Sequence, residues 1–182
     1  MYSGATDERK NHLRLIKAFS LLPKTLRENC QLAIVGRLPN DHREKFEKYA
    51  ELCGLGSDDV VITGSVSDKE LVQLYNLCDL FVFPSLHEGF GLPALEAMSC
   101  GAPVIGANTS SLPEVIGRRD ALFDPFDEKA ISRKMAEVLT NTRLRDELAE
   151  HGLKQARNFS WDESAKRAIS AFERWHAKQG KR

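Results

Sequence analysis

An apolar run that leads into a glycine-rich bend most constrains the fold of this chain. Residues 79–84 read Asp-Leu-Phe-Val-Phe-Pro, and residues 85–92 continue as Ser-Leu-His-Glu-Gly-Phe-Gly-Leu before Pro93. The pattern predicts a buried strand, a tight bend and a helix that begins near the proline, whose missing N–H costs nothing in a first turn. Such a bend directs free backbone N–H groups and the positive end of a helix toward one point, which suits an anion such as a diphosphate.

Two carboxylates flank the bend, Glu88 before its glycines and Glu96 inside the predicted helix. Because carboxylates repel phosphate, they suit neutral groups that donate hydroxyl protons. A ligand that carries both phosphate and hydroxyl groups is a sugar nucleotide. The alternative is a plain turn in which Glu88 is a surface residue and Glu96 only favours the helix N-terminus. We favour the binding site, because a plain turn does not require two glycines and two carboxylates together.

Short apolar strands alternate with amphipathic helices along the chain, which predicts an α/β fold with a parallel sheet. After a strand stub at residues 1–4, strands are predicted near 31–35, 60–62, 80–83 and 103–106. Helices are predicted over 11–22, 42–53, 67–78, 127–140, 142–158 and from 160 onward. In the last helix Trp161, Ala165, Phe172 and Trp175 recur at helical spacing. We expect core packing for Trp161 and Ala165, and little cover for the other two.

Composition excludes several classes of protein. The chain has 182 residues, with 26 Lys+Arg and 26 Asp+Glu, so it predicts one domain and no nucleic-acid partner. No apolar run approaches the roughly 20 residues of a membrane helix, and no signal peptide opens the chain. Four scattered cysteines without a Cys-x-x-Cys pair favour buried free thiols in a reducing cytoplasm over a zinc site or disulfides.

Motifs for other phosphate ligands are missing. The sequence has no Gly-x-Gly-x-x-Gly after its first strand, no Gly-x4-Gly-Lys-Ser/Thr and no Asp-x-Asp. A diphosphate site here would therefore use protein cations and backbone donors instead of a metal. Polar segments follow predicted strands at Lys10, 36–37, 64–67 and 108–111, all at the edge where open α/β sheets bind ligands. Taken alone, Lys10 is more simply an exposed lysine and 64–67 a helix cap.

These motifs resemble those of the retaining glycosyltransferases of family 4, which have the GT-B fold. Glu88 and Glu96 have the Glu-x7-Glu spacing and enclose Gly-Phe-Gly-Leu-Pro. Lys10-Asn11 is similar to the family's phosphate lysine and its neighbour. Further matching segments are Phe-Pro-Ser at 83–85, Glu-Ala-Met at 96–98, Gly-Ala-Pro-Val-Ile at 101–105, Leu-Pro-Glu-Val at 112–115 and Phe-Ser-Trp at 159–161.

The resemblance implies a role for each matching residue at the diphosphate and the sugar. Glu88 would contact hydroxyls of the donor sugar and help to hold charge that develops at the anomeric carbon, which makes it the candidate catalytic residue. Lys10 would pair with the phosphates in place of a metal. The backbone amides of the bend would hold sugar hydroxyls and diphosphate; they belong to Gly89, Phe90, Gly91 and Leu92.

Other positions are assigned to the nucleoside by the same resemblance. Glu96 would hold the ribose, and backbone near Ser65 and Val66 would meet the base. Many family members carry an arginine where this chain has Ala5, so Arg9 is a candidate substitute at the phosphates. We do not expect Glu88 to act as a nucleophile, because a glycosidase needs a second carboxylate across the scissile bond and Glu96 belongs at the ribose.

The implied architecture is a Rossmann-like three-layer sandwich of the α/β class, with a mostly parallel sheet and extra C-terminal helices. Residues 1–182 would be the donor-binding C-terminal domain of a two-domain enzyme whose N-terminal acceptor domain is absent from the chain. We expect no metal and no cofactor. The reaction would be configuration-retaining transfer of a hexose to an acceptor hydroxyl in the assembly of a surface polysaccharide or another glycan. GDP-mannose is the preferred donor, and the domain alone would be inactive.

The expected partners are the nucleotide-sugar donor and the missing acceptor domain. We predict a cytoplasmic protein without a transmembrane segment; contact with the inner face of a membrane through the missing domain is left open. Two alternatives also stay open. The chain could be a non-catalytic module that binds sugar nucleotides, or it could belong to another GT-B enzyme such as a sugar-nucleotide epimerase or a phosphorylase.

Overall fold

The computed structural model describes residues 1–179 and shows a parallel sheet. Its strands are β1 (Tyr2–Ser3), β2 (Leu32–Val35), β3 (Val60–Gly64), β4 (Phe81–Phe83), β5 (Val104–Ala107) and β6 (Leu122–Phe123). Three strands pair in the order β1-β2-β3 and three in the order β4-β5-β6. The Met1 nitrogen donates to the Leu80 carbonyl at 2.7 Å, and the Val82 amide donates to the Met1 carbonyl at 2.9 Å. These two bonds join the halves into the order β3-β2-β1-β4-β5-β6.

This strand order is that of a doubly wound Rossmann-like sheet, in which winding reverses between β1 and β4. The helices are α1 (His12–Ser20), α2 (Lys24–Arg27), α3 (Asn40–Leu52), α4 (Asp68–Leu77), α5 (Leu92–Ser99), α6 (Leu112–Ile116), α7 (Glu128–Thr140), α8 (Thr142–Ala156) and α9 (Trp161–Gln179). One helical layer groups α1 with α3 and α7, and the other groups α5 with α4, α6 and α8. The predicted three-layer α/β architecture is confirmed.

Local signals place most of these elements within two residues of their predicted bounds. Ser67 and Glu70 form the predicted capping box of α4, with the Ser67 amide 2.7 Å from the Glu70 carboxylate. Asp127 caps α7 through the Lys129 amide. The short elements β6, α2 and α6 were not predicted, because two to five residues carry too little periodicity. No helix in residues 1–179 combines the length and apolarity needed to cross a membrane.

The core lies on both faces of the sheet. The side chains of Tyr2, Phe81, Phe83 and Ile105 are fully buried, so the strands read as continuous apolar runs. The four cysteines are free but only half-buried, so the prediction of buried thiols is wrong. They line helix ends and loops beside the core instead of filling it.

The final helix departs from the prediction. No residue of α9 is buried, and Trp161 is 81% exposed. The expected core packing of Trp161 and Ala165 is therefore wrong. Phe172 and Trp175, which were expected to lack cover, are 72% and 64% exposed. Helical spacing correctly indicates one apolar stripe, but within residues 1–179 no other element covers it.

Gly106 provides a test of the packing between β5 and α6. It pairs with Phe83 across the sheet, and an added Cβ would overlap the buried Ile116 side chain. Because the Ile116 side chain is buried and would have to shift within the core, we expect Gly106→Ala to lower the free energy of unfolding by about 1–3 kcal/mol in urea denaturation. The matched control is Gly56→Ala, whose Cβ would meet only Asp59 at an ordinary 3.7 Å. Equal midpoints for the two variants would contradict this packing.

Candidate functional site

A contact between two loops defines the candidate site at the carboxyl edge of the sheet. Lys10 lies in a short 3-10 turn, Glu8–Lys10, after β1, and Glu88 lies in the bend after the neighbouring strand β4. The Lys10 Nζ is 2.6 Å from Glu88 Oε1, and the two side chains are only 15% and 13% exposed. Neither is the solvent-exposed residue that a plain surface turn would require. The pair sits where winding reverses, the usual position of a ligand crevice in such sheets.

The loop after β1 is fastened to the bend by backbone groups as well. Asn11 is buried in the left-handed conformation, with φ 63°, and its side-chain amide donates to the carbonyls of Pro84 at 3.1 Å and Pro125 at 2.8 Å. The Leu86 amide donates to the Arg9 carbonyl at 2.7 Å. Three loops at the carboxyl edge are thereby held together, which fixes the position of Lys10 relative to Glu88.

The bend itself presents unused donors. Among residues 1–179, no protein atom accepts from the amides of residues 89–92. Serine hydroxyls hold the opposite sides of two of these peptide groups: Ser110 donates to the Glu88 carbonyl, and Ser111 donates its single proton to the Phe90 carbonyl at 2.7 Å, with the Glu88 carbonyl as a second, longer contact at 3.1 Å. Because a trans peptide points its N–H away from its C=O, the following amides are directed away from the serines. Sequence reasoning noted the polar loop but not this role.

The start of α5 adds to the anion-binding geometry. Gly91 precedes the helix with φ 102°, and a Cβ there would lie 2.7 Å from a Leu112 methyl carbon. Pro93 occupies the first turn as predicted. Free amides and the positive end of the helix therefore act in the same direction, toward a negatively charged group.

Glu96 lies on the exposed side of α5, and its carboxylate accepts a hydrogen bond from the Tyr75 hydroxyl at 3.0 Å. The Tyr75 oxygen is also 2.7 Å from the Ser3 hydroxyl. Sequence reasoning missed both partners. Tyr75 is part of the apolar pattern of α4, and Ser3 lies in the strand stub, so no local signal connects either to Glu96.

The remaining predicted site residues are not brought to the bend by side-chain contacts. The Arg9 guanidinium pairs with Asp7 through bonds of 2.9 and 3.0 Å and holds the pKa of that carboxyl down to about 2. Ser65 and Val66 follow the edge strand β3, and no hydrogen bond of the described chain links them to the bend. Gly89, Phe90 and Leu92 are exposed and Gly91 is buried, so within residues 1–179 the bend is open to solvent.

No group of three or more His, Cys, Asp and Glu side chains in residues 1–179 is placed to hold a metal ion. The independence of the proposed reaction from metal ions stays a prediction.

His12, next to the site, is buried between two aromatic rings. Its ring centroid is 4.6 Å from that of Tyr2 and 5.0 Å from that of Phe46, and its Nε2 has no hydrogen-bond partner. Burial, with a smaller contribution from the neighbouring side chains of Lys10 and His42, lowers the pKa of His12 to about 4. The folded chain therefore holds His12 neutral at pH values where an unfolded chain would protonate it.

This pKa predicts a loss of stability in acid. Between pH 6.5 and 4 the unfolded chain binds a proton that folded His12 does not, so its contribution to stability falls as the pH falls. From pH 7 to 4.5 the chain should lose about 2 kcal/mol more unfolding free energy than His12→Phe, which keeps a ring in place. Urea denaturation at both pH values measures the difference, with His87→Gln as the exposed control. Parallel losses in the chain and His12→Phe would contradict the assignment.

Comparison with known proteins identifies the family. The profile of the family described as "Glycosyl transferases group 1" matches residues 1–155. The chain belongs to this family, and its structural neighbours are glycosyltransferases with the GT-B fold. The resemblance inferred from Glu88, Glu96 and the glycine bend is confirmed at that level.

Two relatives carry mannosyltransferase names. The chain is 46% identical over 168 residues to the serotype-specific mannosyltransferase WbdA of Escherichia coli, and the match covers 92% of the chain and 21% of WbdA. It is 37% identical over 172 residues to the O-antigen chain mannosyltransferase B of Escherichia coli, which covers 94% of the chain and 45% of that protein. The chain therefore spans between a fifth and a half of the length of these relatives.

A solved structure has a similar extent. The chain superposes with a TM-score of 0.75 and 25% identity on the C-terminal domain of a glycosyl transferase group 1 family protein, LpcC, from Francisella tularensis. The match covers 86% of the chain and 83% of that domain.

Proposed function

We propose that the chain is the C-terminal domain of a GT-B glycosyltransferase and binds a nucleoside diphosphate sugar at the glycine bend. The observation that carries the proposal is the 2.6 Å contact between Lys10 and Glu88 beside four unused backbone amides. Together they offer a cation and N–H donors for a diphosphate and a carboxylate for sugar hydroxyls. The solved C-terminal domain of similar extent supports the placement within a longer enzyme.

The donor is proposed to be GDP-mannose, and the reaction a step in polysaccharide assembly. The support is that two relatives are named mannosyltransferases, one of them of the O-antigen chain. The bend itself recognises phosphate and hydroxyls and does not distinguish one base from another. We assign the base to the loop after β3, at Ser65 and Val66, by family resemblance.

The positively charged and N–H donor groups of the site have one task in the proposed reaction, and Glu88 has another. The bond between the anomeric carbon and the diphosphate oxygen breaks, and a bond from the acceptor oxygen forms on the same face of the sugar. Lys10 and the amides of residues 89–92 stabilise the charge on the departing diphosphate. That diphosphate takes the proton of the acceptor hydroxyl, so the step needs no separate base. Glu88 accepts from sugar hydroxyls and stabilises positive charge that develops at the anomeric carbon.

Lys10 and the backbone donors provide the positive charge that a metal would otherwise supply, so we propose a metal-independent donor site. Arg9 is a weaker candidate for the phosphates, because its guanidinium is engaged by Asp7. Glu96 is the proposed ligand of the ribose.

The domain alone is proposed to bind donor and not to transfer sugar. An open bend cannot position an acceptor or exclude water, and both are required for transfer. The coverage of 21% and 45% of the two relatives leaves room in such proteins for an acceptor domain. That domain is the proposed partner, and it would also provide any contact with a membrane. The cytoplasmic location stays a prediction.

Titration of the chain with nucleotides tests the proposal. In buffer with EDTA, calorimetry with GDP, UDP and ADP should show preferential binding of GDP, and GDP-mannose should bind as well. Glu96→Ala should raise the dissociation constant of GDP about tenfold, because a carboxylate that accepts from two hydroxyls is lost. The matched control is Glu150→Ala, on an exposed face of α8. Absence of binding of all three nucleotides at millimolar concentration would contradict the proposed donor site.

A further inference from the structure

The side chains of Tyr75 and Ser3 form a hydrogen-bonded series behind the carboxylate of Glu96, an exposed residue. Tyr75 of α4 is only 2% exposed, and its hydroxyl lies 3.0 Å from Glu96 Oε2 and 2.7 Å from the Ser3 hydroxyl. Ser3 ends the central strand β1 and is 4% exposed. These two hydrogen bonds therefore connect β1, in the middle of the sheet, to α5 through a side chain of α4.

The direction of these hydrogen bonds follows from the chemistry of the groups. An ionised carboxylate only accepts, so the Tyr75 hydroxyl donates to Glu96. The Tyr75 proton is then used, and the Ser3 hydroxyl must donate to the phenol oxygen. Burial raises the pKa of Tyr75 well above its usual value, so the phenol keeps its proton.

Packing alone does not require the bond between Tyr75 and Glu96. The Tyr75 ring packs edge-to-face on Phe81, with centroids 5.5 Å apart, and the Ser3 hydroxyl already provides a buried partner for the phenol. The second bond reaches out of the core to a residue on the exposed side of α5. This second bond restricts the side chain of Glu96, which would otherwise sample several rotamers.

The geometry points to Tyr75, supported by Ser3, as a positioning residue that fixes the Glu96 carboxylate for the two ribose hydroxyls of the nucleotide. The inference rests on the proposed function. It adds a reason why the site would prefer a nucleotide whose ribose has both hydroxyls. Tyr75 holds one oxygen of the carboxylate. The other oxygen and the remaining lone pair of the first are left for the ligand.

The test compares GDP with 2′,3′-dideoxy-GDP, which lacks both hydroxyls. We expect Tyr75→Phe to raise the calorimetric dissociation constant of GDP roughly three- to tenfold, the cost of immobilising one side chain on binding. The constant for dideoxy-GDP should not change. Tyr49→Phe, a half-buried tyrosine of α3, is the matched control and should affect neither ligand.

The variant Ser3→Ala tests whether the hydrogen bond from Ser3 to Tyr75 contributes to the positioning of Glu96, or whether Tyr75 acts alone. It should weaken GDP binding less than Tyr75→Phe, and the double variant should bind like Tyr75→Phe alone, because the two groups act through one path. Titrations are made far below the melting temperature of each variant, so that every sample is folded.

The possible results separate the inference from the function on which it rests. Equal weakening of both ligands by Tyr75→Phe would mean general damage to the site and would overturn the positioning role. Weakening of GDP by Glu96→Ala but not by Tyr75→Phe would also overturn that role and leave the proposed function standing. If the unaltered chain binds GDP and dideoxy-GDP equally and Glu96→Ala changes neither, the assignment of Glu96 to the ribose fails, and the inference fails with it.

Discussion

The site depends on one contact, the ion pair between Lys10 and Glu88 across the point where the sheet reverses its winding. Strands β1 and β4 are neighbours there, and the segments that leave them turn in opposite directions. The pair at 2.6 Å and the side-chain amide of Asn11 link the two segments, so the free amides of the bend have a fixed position relative to Lys10. Every role proposed for the bend uses that position.

Stability alone does not explain why this contact is ionic. Both side chains are mostly removed from water, and the cost of desolvating two charges offsets much of their attraction. Two apolar side chains of similar size would hold the loops as well or better. A ligand with phosphate and hydroxyl groups gives a reason for the charges, since it would offer Lys10 an anion and Glu88 hydrogen-bond donors. In the structure the charges of the two residues neutralise each other.

The sequence indicated the strands and the bend because their signals are local. Apolar runs and glycines at 89 and 91 lie within a few residues of the structure they specify. Lys10 and Glu88 are 78 positions apart in the sequence. They could be expected at the same edge of the sheet only because the strands before them are parallel. The bond from Tyr75 to Glu96 depends on how α4 packs against α5, which no local pattern encodes. Periodicity revealed the apolar stripe of α9 but not whether anything covers Trp161.

A crystal structure of the chain with GDP-mannose, grown without added metal, tests the central claim most directly. The account predicts diphosphate oxygens within hydrogen-bonding distance of the amides of residues 89–92. It also predicts that Lys10 Nζ has moved from Glu88 to the phosphates and that the ribose hydroxyls contact Glu96. A nucleotide bound at another surface, with the contact between Lys10 and Glu88 intact, would contradict it.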